Sequence, residues 1–180
     1  MKTRNIILPV LVSFALAFTL ITNWRLESEK SKIEFTANGP FGKVNGSFAG
    51  LKCNIVFDES NLQGSAIQAT VDVNTIETGV GLRNKDLREK EEWFNAAKYP
   101  LIAVQSKQFK KTATGYEMSA DLTMKGVTKP VVIPFTFTPA GNGALFLSQF
   151  TVNREDFGVG KPGGSVAKEV KLKLEIQVSK

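Results

Sequence analysis

The stretch YEMSADLTMKGVTKPVVIPFTF, residues 116–137, decides the fold. In its first half Tyr116, Met118, Ala120 and Leu122 occupy every second position, with Glu117, Ser119, Asp121 and Thr123 between them. That is the period of a strand with one apolar face. In its second half Val127, Val131, Ile133, Phe135 and Phe137 share one parity. Only Lys125 and Gly126 separate the halves. The spacing therefore predicts an antiparallel hairpin with a two-residue turn, Gly126 supplying a backbone angle that other residues resist. Pro134 lacks a backbone donor and predicts bending in the second strand.

The same alternation recurs outward from this hairpin. Ile33, Phe35 and Ala37 form one run; Leu51, Cys53, Ile55 and Phe57 another; Ile67, Ala69, Val71 and Val73 a third. Ile102 and Val104 resume it, and the segment Leu145 to Val152 carries apolar groups on both faces. At the end Val170, Leu172, Leu174, Ile176 and Val178 alternate with polar partners. The glycines of Phe41 to Gly46 read as turn and bulge positions in a loop, since the lysine-serine ending of a phosphate-binding loop is missing and no helix follows. A helical period occurs once, from Leu82 to Phe94, with Leu82, Leu87 and Phe94 as a thin apolar stripe on an otherwise polar surface helix. Asn153 to Gly164 is the longest irregular stretch. Seven to nine strands with one helix predict an antiparallel sandwich or barrel, and a barrel is favoured because closure removes exposed strand edges. Eight strands enclose an interior that side chains can fill or that can hold one small ligand; alternation is compatible with both.

Composition excludes several kinds of chemistry. With 180 residues, 42% of them hydrophobic, the chain makes one domain with a real core. It contains no His, which rules out Ser/His and Cys/His nucleophile pairs and His-containing zinc sites. The single Cys53 falls at apolar parity, the position of a buried, inert thiol. Glu91 and Glu92 are adjacent and diverge on a helix, and nothing brings Asp121 and Asp156 together, so no carboxylate pair is placed for acid–base work. No enzyme activity, metal or cofactor is expected. Lys2 and Arg4 precede an uncharged apolar run from Ile6 to Ile21, and Ala15-Leu16-Ala17 offers the small-x-small pattern of a cleavage site. As a helix that run would reach only about 24 Å against about 30 Å of hydrocarbon. Residues 1–23 are therefore expected to be a cleaved signal peptide, leaving a soluble domain, 24–180, in the periplasm or secreted. Cleavage removes Lys2 and Arg4 and no acid, so the formal charge falls from +6 to +4. The charges are scattered and the aromatics sit at core parity, which argues against nucleic acid as a partner.

Five segments carry a family resemblance. Leu122-Thr123-Met124-Lys125-Gly126-Val127-Thr128-Lys129-Pro130-Val131 resembles the hairpin of the YceI-like family, periplasmic lipocalin-like proteins known as polyisoprenoid-binding proteins. Trp24 with Ser31-Lys32-Ile33-Glu34-Phe35 is similar to the family's opening, and Val44-Asn45-Gly46-Ser47-Phe48 to its next element. Trp93-Phe94-Asn95-Ala96-Ala97-Lys98-Tyr99-Pro100 resembles its Tyr-Pro segment, and Asn153-Arg154-Glu155-Asp156-Phe157-Gly158 its Arg-x-Asp-Phe-Gly turn. The chain departs from the family's usual His at Lys30 and Asp86, and from its frequent Asp at Asn95. The resemblance implies an all-β, antiparallel, eight-stranded lipocalin-like barrel with one short side helix, holding an amphiphilic isoprenoid lipid or quinone without chemistry and free to make transient membrane contact. Phe35, Phe48, Phe57, Val71, Phe135, Phe137 and Phe150 are the residues expected to line its lumen. Arg83, Arg88 and Arg154 are the cations expected at the mouth, guanidinium matching phosphate geometry. The alternative is a solid barrel serving as a periplasmic stress or interaction protein without ligand.

Overall fold

The computed structural model describes residues 22–180, so most of the expected signal peptide lies outside the described residues. Ten strand segments follow in order: β1 (Asn23–Leu26), β2 (Lys32–Gly39), β3 (Gly42–Phe48), β4 (Lys52–Val56), β5 (Ala66–Asp72), β6 (Leu101–Lys111), β7 (Tyr116–Met124), β8 (Val127–Ala140), β9 (Gly143–Asn153) and β10 (Glu169–Ser179). One helix, α1 (Gly81–Glu89), lies between β5 and β6. The hairpin quoted above is β7 and β8, in register from Met124 opposite Val127 to Tyr116 opposite Phe135. Lys125 and Gly126 have φ of 50° and 75°, the positive pair of a type I′ turn, whose twist matches that of the strands it joins.

The ten segments make eight wall strands. β1 and β2 lie end to end along one side of β10, interrupted by the turn Ser28–Lys30. β3 and β4 repeat the arrangement, β3 against β2 and β4 against β1. Because β1 joins β4 on one side and β10 on the other, the sheet closes into an antiparallel barrel. Closure leaves one end, the floor, with the connections 57–65, 112–115 and 141–142; the other, the mouth, carries the β2–β3 turn, residues 73–100 and residues 154–168.

Near the mouth the wall is incomplete. The β8–β9 ladder runs only from Ala140 opposite Gly143 to Thr136 opposite Leu147, and Pro134 sits just beyond its end. Pro134 has no N–H to give; its carbonyl instead accepts from the Ser148 hydroxyl at 2.6 Å. Between β3 and β5 there is no ladder, and Ser47 bridges to Glu77 in the segment that carries α1. The helix thus stands in a gap of the wall.

Two expectations are corrected. The helix ends at Glu89 rather than near Phe94: the chain turns at Lys90, and the Phe94 and Ala96 amides donate back to the carbonyls of Leu87 and Arg88 at 3.1 and 2.7 Å. Of the proposed stripe Leu87 and Phe94 pack inward, but Leu82 is 73% exposed, and the buried residue of the helix itself is Asn84, 3% exposed. The Asn84 side-chain oxygen accepts from the Thr78 amide and hydroxyl, and its amide donates to Glu77. A polar plug fixed by hydrogen bonds holds this helix in place. The second correction concerns Gly42 to Gly46, which lies in β3 rather than in a loop. Gly46 is opposite Phe35, and a Cβ there would overlap the Phe35 ring; glycine lets the ring lie flat on the neighbouring backbone.

Replacing Gly126 by Val should lower stability by more than about 1 kcal/mol, since a β-branched residue is strained at positive φ. Any Cβ there would also meet the Tyr99 ring at 2.7 Å. A lowered urea midpoint with an unchanged slope is the expected result.

Candidate functional site

The floor of the barrel is built around one side chain. Phe57, just past β4, is 1% exposed, and the rings of Phe109, Tyr116, Phe135, Phe137 and Phe146 surround it at centroid distances of 5.0–5.9 Å. Its carbonyl accepts from the Trp24 indole at 2.9 Å, so Trp24 closes the end of the barrel and loses no hydrogen bond in doing so. Edge-on ring pairs of this kind contribute about 0.5–1.5 kcal/mol each beyond their buried area. The lower barrel is solid.

Above this floor the lumen is hollow. A cavity of about 510 Å³ runs up to the mouth, lined almost wholly by carbon. The alternation of β10 shows the change along the axis: Val178 is buried in the floor, whereas Leu172 and Leu174, on the same face, are only half-buried and line the cavity. A second apolar cluster, including Val73, Ile76, Phe94, Val152 and Phe157, packs the mouth-end segments against the wall.

The residues singled out in the sequence divide along this axis. Phe35, Phe48, Val71, Phe135 and Phe150 line the cavity, Phe135 at its base. Phe57 and Phe137 do not; they lie in the aromatic floor, where Phe137 also meets Trp24 edge-on at 5.5 Å. The lining that sequence parity left unnamed comes from the same alternating runs, among them Ile33, Cys53, Val104 and Leu172. Trp93 and Leu87, from the segment in the wall gap, complete it.

Three arginines were expected at the mouth. Arg83 borders the cavity and donates through Nε and Nη2 to the hydroxyl and carbonyl of Thr78, both at 2.9 Å. Arg88 does not border it; its charge sits near Glu77, whose carboxyl is held below the usual range mainly by the Asn84 amide. Arg154 borders the cavity but is 5% exposed, and its guanidinium is spent on the protein. It donates to the carbonyls of Ala167, Val159 and Val166 at 3.0, 2.6 and 2.5 Å and pairs with Glu155 at 3.3 Å. Arg154 therefore pins the irregular stretch 155–168 beneath it, and the expectation that it faces a head group is corrected.

The other groups considered for chemistry are held apart. Asp121 pairs with Lys107 at 2.8 Å, and Asp156 accepts from Asn153 at 3.1 Å. Among the described residues no three His, Cys, Asp or Glu side chains gather to hold a metal. Cys53 lines the lumen, and burial pushes its thiol up to about 12.

Comparison with known proteins gives a consistent result. The sequence profile of the YceI-like domain matches residues 24–178. The UPF0312 protein YE1254 of Yersinia enterocolitica is 32% identical over 158 residues, 84% of this chain and 82% of its own. Among solved structures, BcnA of Burkholderia cenocepacia superposes with a TM-score of 0.78 at 26% identity, over 84% of this chain and 98% of its own. A polyisoprenoid binding domain from Saccharophagus degradans shares the fold with a TM-score of 0.66 at 15% identity, over 89% of this chain and 99% of its own.

Two outcomes follow from the site's geometry. Arg154→Met, which strands several buried carbonyls and Glu155, should destabilise the protein by about 3–5 kcal/mol, read as a fall in melting temperature. Cys53 should resist alkylation at pH 8.5 in the folded protein, because so little of a thiol raised to about 12 is thiolate there. It should react fully once urea unfolds the barrel, as intact mass will show.

Proposed function

This chain belongs to the YceI-like domain family, and on that premise we propose that it carries or sequesters an amphiphilic isoprenoid lipid or quinone in its lumen, without catalysis, after export to the periplasm. The observation that carries this is the one-ended apolar cavity of about 510 Å³. Its size lies within the range of about 300–1,000 Å³ usual for small-molecule sites. An apolar tail entering it leaves water at a gain of about 25 cal/mol per Å² buried, and the aromatic floor sets how far it can go. A wholly solid barrel would have no such space. The likeness to a polyisoprenoid binding domain points the same way.

The head group belongs at the mouth. Arg83 keeps Nη1 without a protein partner among the described residues, next to a cavity with few other polar groups. A guanidinium so placed suits a phosphate, and it also serves a quinone carbonyl. Export rests on the charged start and apolar run of the first 23 residues, and the intact mass of the protein from a periplasmic extract tests it.

Organic extraction of the purified protein followed by mass spectrometry should yield an isoprenoid lipid. Phe150→Glu, which puts an unpaired charge into the apolar lumen, should abolish it, and Phe150→Leu should retain it. Arg83→Gln should weaken binding of a polyprenyl phosphate by about tenfold, the size of one charge-assisted hydrogen bond, and that of a neutral quinone much less. A wild-type protein that extracts clean and takes up neither added lipid would overturn the proposal in favour of a ligand-free barrel.

A further inference from the structure

We propose that the rim of the cavity is a docking surface for a bilayer bearing anionic phospholipid, so that the mouth opens directly onto the membrane. The rim is apolar where a soluble surface has no need to be. Pro40 and Phe41 form the tip of the β2–β3 turn, Phe41 is 103% exposed, and both border the cavity. Across the wall gap, Val80 and Leu82 at the start of α1 are 47% and 73% exposed, on either side of a turn whose next residue, Arg83, also borders the cavity. Four of the six exposed large apolar side chains among the described residues, these three and Leu101, lie at the mouth end, so the exposure is concentrated and not scattered singly.

Charge at the rim selects the partner. Lys43, next to the Phe41 tip, and Lys161 and Lys168, in the loop pinned by Arg154, are exposed and have no carboxylate within ion-pair distance among the described residues. Several carboxylates near the tips are already engaged. Glu77 accepts from Asn84, Thr78 and Gly79, Asp86 pairs with Lys90, and Glu155 pairs with Arg154. Glu91 and Glu92 lie beside Lys125. Protruding apolar tips interleaved with uncompensated lysines are what an anionic interface attracts, the apolar groups entering the headgroup region while the ammonium groups meet phosphates. The placement also has a use that rests on the lumen reading above: a lipid tail crossing from bilayer to cavity through a seated rim never meets water.

Flotation of the soluble protein with vesicles of phosphatidylglycerol and phosphatidylethanolamine tests this. Wild-type protein should float with them and should bind vesicles of phosphatidylcholine much more weakly. The double variant Val80→Ser, Leu82→Ser, neither of which lines the cavity, should lose about tenfold in vesicle affinity while keeping its melting temperature, since both side chains already face solvent. Lys43→Gln with Lys161→Gln should erase the preference for phosphatidylglycerol. Undiminished binding by the Ser variant, or no binding to the anionic vesicles, would overturn the proposal. Mass spectrometry of lipid extracted from the same preparations separates the two readings. A Ser variant that still carries lipid but no longer floats confirms a docking role distinct from carriage. A wild type that floats with an empty lumen keeps the docking surface and removes the carrier.

Discussion

The structure depends on the burial of Phe57 among five other aromatic rings. A closed eight-stranded barrel is wide enough to leave its interior open or to be filled, and here the choice is made separately at each end. At the floor the rings of Phe109, Tyr116, Phe135, Phe137 and Phe146 converge on Phe57, with Trp24 tied to its carbonyl. Core packing of that kind makes the floor a fixed stop, and the cavity begins above it.

The mouth is held open by a different kind of force. Where the ladder between β3 and β5 fails, the gap is occupied by the segment that carries α1, and the mouth-end segments are fixed through buried polar side chains. Asn84 joins α1 to Thr78 and Glu77, and Arg154 gathers the carbonyls of residues 159–167. Hydrogen bonds are directional, so these side chains position the rim without filling the lumen behind it. The apolar side chains of the same segments, such as Trp93 and Leu87, are then free to line the cavity. The result is a container with a dry base, a carbon-lined interior and a rim that is both apolar and cationic. Such a distribution is what the proposed carriage of an amphiphile rests on.

Much of this was legible in the residues. The two-residue turn at Lys125-Gly126, the run of β10 and the half-buried alternation throughout fixed the class of fold, because a strand's side-chain period is local. The arginines illustrate the limit. Arg83, Arg88 and Arg154 are alike in sequence, yet one borders the cavity with a free nitrogen, one leans toward Glu77 and one is enclosed by carbonyls. One residue of the stripe assigned to the helix, Leu82, was misplaced for a related reason. Hydrophobicity placed Leu82 on the inward stripe with Leu87 and Phe94, but hydrogen bonds to Thr78 and Glu77 made Asn84 the buried residue of the helix.

By itself, then, the sequence determined which side of most strands faces inward, where the chain reverses at the β7–β8 hairpin, and which chemistries its composition cannot support. It could not determine depth. Phe57 and Phe48 have the same identity and the same inward parity, but the first is a floor residue and the second lines the cavity. Position along the barrel axis is set by the register between strands that lie far apart in the chain, and so is the point at which ladders end and the wall gives way to loops. Alternation encodes a face and carries no coordinate along it. Only when the sheet closes do the rings that fill the lumen and the rings that line it become different residues.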